Sequence, residues 1–147
     1  MIWFVDTSAL VKRYISESGS EWLRSEIVRH EVLISQLTPI ELGAALSKRF
    51  REGSISKFVF YQARSAMMLH LAGARYNVLE ISQRVVNQAL QLTFRHTLRA
   101  YDAVQLATAL VGNTGTDSRR FVVVTADDKL EAVSLAQGLQ TDNPLRH

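Results

Sequence analysis

Phe121-Val122-Val123-Val124-Thr125 constrains the fold of this chain more than any other stretch. Four consecutive apolar residues, three of them β-branched, with polar sequence on both sides, read as a strand buried on both faces. Such a strand needs cover above and below, which parallel sheets obtain from their crossover helices. Ile2-Trp3-Phe4-Val5 and Val32-Leu33-Ile34-Ser35 repeat the pattern, and Val78-Leu79-Glu80-Ile81 and 139–141 give it in shorter form. Between these runs the apolar residues recur at helical spacing, first at Leu10, Val11, Tyr14 and Ile15 and then through 20–29. Further helices are predicted from 38 to near Gly53, over 56–74, 82–96 and 99–111, and over 127–137, with a polar loop at 112–120. Thr38-Pro39-Ile40-Glu41 reads as a capping box, with proline in the first turn and Glu41 reaching back to Thr38. Strands alternating with helices, without repeat or linker, predict one domain over 1–147. Its expected architecture is a helix-rich three-layer α/β/α sandwich around a short-stranded central parallel sheet.

Composition removes several classes of function. The chain has no cysteine, so disulfide frameworks, thiolate metal sites and cysteine nucleophiles are excluded. No window of about eighteen residues is free of charge, which argues against a membrane-spanning helix. Asp6 precedes the first bases, Lys12 and Arg13, an order unlike that of a secretory signal, so the expected compartment is the cytoplasm. The formal charge is +3, and 13 of the 17 basic residues are arginine, whose planar guanidinium suits phosphate. Gly-x-Ser-x-Gly, Gly-Lys-Ser/Thr and His-Glu-x-x-His motifs are all missing.

What remains is a set of carboxylates. In open α/β sheets the functional crevice lies outside the carboxyl ends of the strands. Asp6 ends the first predicted strand, Glu41 follows the second, and Asp127-Asp128 follows the strongest. Asp102 lies in a predicted helix that is apolar nearly all round, where a carboxylate must be paired, neutralised or bound to a cation. Each acid also has a structural reading. Asp6 can cap the first helix, Glu41 can close its capping box, Asp102 can pair with Arg99, and the Asp127-Asp128 pair can favour a helix start. Together, four acidic positions on one edge repel one another, and a hard divalent cation such as Mg²⁺ or Mn²⁺ relieves that repulsion.

Val5-Asp6-Thr7-Ser8-Ala9-Leu10, Thr38-Pro39-Ile40-Glu41, Arg99-Ala100-Tyr101-Asp102-Ala103-Val104-Gln105-Leu106-Ala107 and Val124-Thr125-Ala126-Asp127, in that order, resemble the PIN-domain nucleases. Among these the chain looks most like the VapC-type toxins of toxin–antitoxin pairs. The resemblance implies Mg²⁺- or Mn²⁺-dependent cleavage of RNA and an antitoxin protein as partner. Asp6, Glu41, Asp102 and Asp127 would be the metal-holding catalytic acids, with Thr7 and Thr125 in support. Lys12, Arg13, Arg119 and Arg120 are candidates for the RNA backbone. The adjacent Asp127 and Asp128 both compete for the last acidic position. With Thr125 as N-cap, Asp128 would fall at the third helical position and Asp127 would turn toward Asp6.

Two rival readings use the same residues. A phosphatase of the haloacid-dehalogenase kind needs Asp-x-Asp after its first strand, and Ser8 stands where the second Asp would be. A receiver domain needs an acid after its third strand, where this chain has Ile81-Ser82-Gln83. A non-catalytic RNA- or protein-binding module on the same fold would have no use for four converging acids. Trp22 and the apolar stripes near Leu10, Tyr14 and Phe58 predict a homodimer and an antitoxin segment docked in an apolar groove.

Overall fold

The computed structural model describes residues 1–115, 117 and 120–147. Five strands form one parallel sheet: β1 (Ile2–Val5), β2 (Glu31–Ser35), β3 (Asn77–Leu79), β4 (Phe121–Val124) and β5 (Gln140–Asp142). Their spatial order is β3-β2-β1-β4-β5. Among the described residues the α-helices are α1 (Thr7–Tyr14), α2 (Ser20–Glu26), α3 (Thr38–Arg51), α4 (Lys57–Ala72), α5 (Gln83–Arg95), α6 (Ala100–Gly112) and α7 (Asp128–Ala136). The three-layer sandwich expected from the alternation of strands and helices is what forms. The loop expected over 112–120 falls partly outside the described residues.

Register explains why both faces of the sheet are apolar. Trp3, Phe4 and Val5 pair with Val122, Val123 and Val124. Trp3, Val5, Val32, Ile34, Val122 and Val124 point to one core, shared with α1, α2, α3 and α4. Phe4, Leu33, Phe121 and Val123 point to the other, shared with α5, α6 and α7. The two-residue period of a strand thus feeds two hydrophobic layers from one apolar run. Leu10 and Tyr14, expected to contribute to a surplus apolar surface, belong to the first core instead. The exposed apolar surface lies elsewhere. Phe58 at the start of α4 is open, and Val86, Leu90 and Phe94 form an open stripe along α5.

The strand order reverses at β1 and β4, so the crevice forms outside their carboxyl ends. The Asp6 N–H donates to the Val124 carbonyl at 3.1 Å, which ties the turn after β1 to the last residue of β4. Among the described residues no helix is long and apolar enough to cross a membrane.

Candidate active site

Asp6 begins the site. Its backbone is extended (φ −76°, ψ 169°), and its carboxylate caps α1 by accepting from the Ser8 and Ala9 N–H groups. The Ser8 hydroxyl donates to Asp6 Oδ1 at 2.9 Å and accepts from the Ala126 N–H at 2.9 Å. It also lies 3.3 Å from the Thr125 hydroxyl. One serine therefore joins the turns after β1 and β4. Asp6 is only 4% exposed. Burial pushes its carboxyl up to about 6, although hydrogen bonds from Ser8, Ala9 and Thr125 pull the other way.

Glu41 does not close a capping box. The N-cap of α3 is Leu37, and the Thr38 side chain makes no cap bond. Glu41 instead turns toward α1 and α6, where its Oε2 accepts from the Thr7 hydroxyl at 2.6 Å and from Gln105 Nε2 at 2.6 Å. The Gln105 amide nitrogen also lies 3.1 Å from each of the Thr7 and Thr38 hydroxyls. Gln105 is 2% exposed among the alanines, valines and leucines of a mostly apolar helix. Buried amides persist where their hydrogen bonds are satisfied, and this one is satisfied by the site.

Asp102 and Asp127 meet through a cation. Arg99, the N-cap of α6, donates from Nε to Asp102 Oδ2 at 2.8 Å and from Nη2 to Asp127 Oδ2 at 3.4 Å. The guanidinium holds its proton more firmly than usual, chiefly because of Asp102, with Asp127 and Glu41 adding to the effect. Two carboxylates therefore share one exposed arginine head. The i, i+3 pairing of Arg99 and Asp102, the structural alternative for Asp102, is present. It forms at the mouth of the crevice and extends to a second acid.

The start of α7 differs from the expected register. Asp127, not Thr125, is its N-cap, and Asp127 Oδ1 accepts from the Lys129 and Leu130 N–H groups at 2.9 Å each. Thr125 is buried, and its hydroxyl accepts from the Asp127 N–H at 3.1 Å. Asp128 is the first helical residue, and its Oδ1 accepts from Asn143 Nδ2, just past the end of β5, at 3.4 Å. Neither acid takes the helical position expected of it: Asp127 precedes the helix as its cap, and Asp128 is the first helical residue instead of the third. The cap falls two residues later, because Asp127 has an oxygen for the helix and another for Arg99.

The basic candidates do not gather at this edge. Lys12 is buried, with its ammonium 2.9 Å from Glu17. Arg13 donates to the Tyr76 hydroxyl at 3.0 Å and lies over the Tyr76 ring. Arg120 directly precedes β4, at the amino edge of the sheet and one strand length, about 13 Å, from the acids. Arg119 lies outside the described residues. Sequence reasoning missed Ser8 and Gln105 and gave Arg99 only a structural part. For Gln105 the available signal was an amide among alanines, valines and leucines.

Among the described residues no three Asp, Glu or His side chains stand close enough to share one ion. The donor chemistry nevertheless suits a hard cation. The acids supply carboxylate oxygens, and Arg99 stands in as a positive charge between Asp102 and Asp127. Withdrawal of that guanidinium leaves one oxygen of each acid free for an ion.

The PIN domain family model matches residues 3–135. No curated protein matches the chain in sequence. Similar solved structures include VapBC2 from Rickettsia felis bound to a DNA fragment from its promoter, at 19% identity and TM-score 0.66 over 97% of this chain and 98% of that one. PAE2754 from Pyrobaculum aerophilum is 25% identical with TM-score 0.67, over 96% of this chain and 83% of that one. FitAcB from Neisseria gonorrhoeae is 18% identical with TM-score 0.65, over the full length of both chains.

Proposed function

As the chain belongs to the PIN domain family, whose members are generally nucleases, we propose that it is a Mg²⁺- or Mn²⁺-dependent endoribonuclease and the toxin of a toxin–antitoxin pair. The observation that carries this reading is the meeting of Asp102 and Asp127 on the guanidinium of Arg99, at a cavity that Glu41 also lines, with the buried Asp6 in the turn tied to the end of β4. Asp6, Glu41, Asp102 and Asp127 would hold the metal. When bound, such an ion activates a water and neutralises charge developing on the phosphate. The remaining work falls to the protein. The Ser8 hydroxyl and the Ser8 and Ala9 N–H groups fix the Asp6 carboxylate, and Thr7 and Gln105 fix one oxygen of Glu41, so that both acids are oriented before substrate arrives.

An antitoxin partner is supported by similarity to VapBC2 and FitAcB. Its seat would be the cavity of about 750 Å³ between α1, α2 and α4, where Phe58, Tyr61 and Ala66 supply apolar wall and Arg13 and Arg24 supply charge. A homodimer would bury the open α5 stripe of Val86, Leu90 and Phe94. The test of the reading is incubation of the purified protein with single-stranded RNA in Mg²⁺ or Mn²⁺. Cleavage that stops on chelation supports it. RNA bound but left uncut under every metal condition would make the chain a binding module and refute it.

A further inference from the structure

Of the basic residues expected to hold RNA, Lys12 is buried on Glu17, Arg13 is engaged with Tyr76, and Arg120 lies at the opposite edge of the sheet, so the acids need another surface to present a substrate. A cavity of about 640 Å³ opens beside them, lined on its inner side by Thr7, Glu41 and Arg99 and on its outer side by Ile40, Lys48 and Tyr101. Its size is within the range of sites that seat a small organic group. We infer that this cavity is the subsite for one nucleotide of a single-stranded RNA next to the scissile phosphate, with its base against Tyr101 and Ile40 and its backbone along Lys48 and Arg99.

Tyr101 and Ile40 are 63% and 69% exposed, large apolar groups left open at the rim of a charged crevice. A flat aromatic ring beside two cations is the combination that binds unpaired bases, because the ring stacks on any base while the cations follow the backbone. Lys48 is free for this role. Among the described residues its ion-pair partner is Glu52, at 3.9 Å on the exposed face of α3. Arg99 stands at the boundary, bound to Asp102 and Asp127 on one side and open to the cavity on the other. Continuity decides the occupant. A group seated here touches Thr7 and Glu41, so its neighbouring phosphodiester lies at the acids. A duplex fits the same surface poorly, since its bases are already stacked on each other.

The inference rests on the ribonuclease reading, and the experiment separates the two. A fluorescently labelled, unstructured RNA oligonucleotide is titrated with the full chain in EDTA, with anisotropy as readout, and cleavage is followed separately in Mn²⁺. Tyr101→Ala is expected to weaken binding about 5- to 100-fold, and Tyr101→Phe, which keeps the ring, to stay within about twofold of wild type. Lys48→Ala is expected to reduce the slope of log affinity against log salt by about 0.7, the loss of one phosphate contact on a single strand. Unchanged affinity in Tyr101→Ala overturns the subsite while leaving the nuclease reading intact. So does a Tyr101→Ala protein that changes oligomeric state by light scattering at constant RNA affinity, because the cavity would then be an interface between copies. Wild-type protein that neither binds nor cleaves RNA overturns both.

Discussion

Replacing Asp6 by asparagine should make the metal-free protein more stable at neutral pH, and the size of the gain follows from burial. The Asp6 carboxyl titrates near 3.8 when exposed and is pushed up to about 6 in the fold. Between those two values the folded chain keeps a proton that the unfolded chain has lost. Stability contributed by this group therefore falls as pH rises through that window, and the penalty is complete above it. A shift of about two units corresponds to about 3 kcal/mol. Asparagine has nearly the same shape and ranks with aspartate as a helix N-cap, so the bonds from Ser8 and Ala9 can survive. Weakened bonding to the Ser8 hydroxyl and to the helix dipole takes back about 1 kcal/mol. The expected net gain is about 2 kcal/mol at pH 7 in EDTA, vanishing toward pH 4. Urea unfolding of both proteins across pH 4 to 8 measures it directly. Parallel pH profiles, or a variant less stable at pH 7, would show that the fold holds Asp6 ionised without strain and would refute the reasoning.

Arg99→Gln should bind Mn²⁺ about 2- to 10-fold more tightly than wild type, because the ion no longer displaces two largely exposed ion pairs; equal affinities by titration calorimetry would remove Arg99 as a competitor. Asp127→Asn should weaken Mn²⁺ binding at almost unchanged stability, whereas Asp127→Ala should also lose about 1 kcal/mol with the α7 cap. Asp128→Asn should change neither quantity by more than the error of calorimetry and urea melts, and a metal defect in that variant would reverse the assignment. Gln105→Leu should lower kcat and also cost about 2 kcal/mol, since Glu41 and Thr38 lose a buried partner; Gln105→Glu should restore neither, and recovery of either by Gln105→Glu would refute an orienting amide.

The fold was legible because its strands are apolar at every position. Phe121–Val124 and Ile2–Val5 can exist only under cover on both faces, and that requirement alone produces a parallel sheet with helices on either side. That Asp6 and Asp127 fall at one edge followed from the same logic, since strand ends in such a sheet share an edge, although among the described residues no three acids stand close enough to share an ion. Local register was harder to read. Thr38 and Glu41 have capping-box spacing, but tertiary bonds from Thr7 and Gln105 outcompete the local one. Asp127 displaced Thr125 as cap because the Thr125 hydroxyl is buried beneath the turn and serves the Asp127 N–H. Lys12 and Arg13 read as surface bases because charge carries no sign of burial in sequence. Their partners Glu17 and Tyr76 are loop residues whose position only the assembled fold determines.

The proposed function requires the carboxylates at the carboxyl edge to form a metal-dependent centre that cuts RNA. Asp102→Asn tests it most directly, because Asp102 is the acid held most closely by the stand-in cation and its loss leaves the α6 backbone cap in place. Cleavage of single-stranded RNA by wild type and variant is followed across a Mn²⁺ titration, with free Mn²⁺ read by electron paramagnetic resonance in the same samples. Wild type is expected to bind Mn²⁺ and to cleave in step with its occupancy, whereas Asp102→Asn does neither and melts no lower than wild type in EDTA. Cleavage that persists in EDTA, or at wild-type rate in Asp102→Asn, would contradict it.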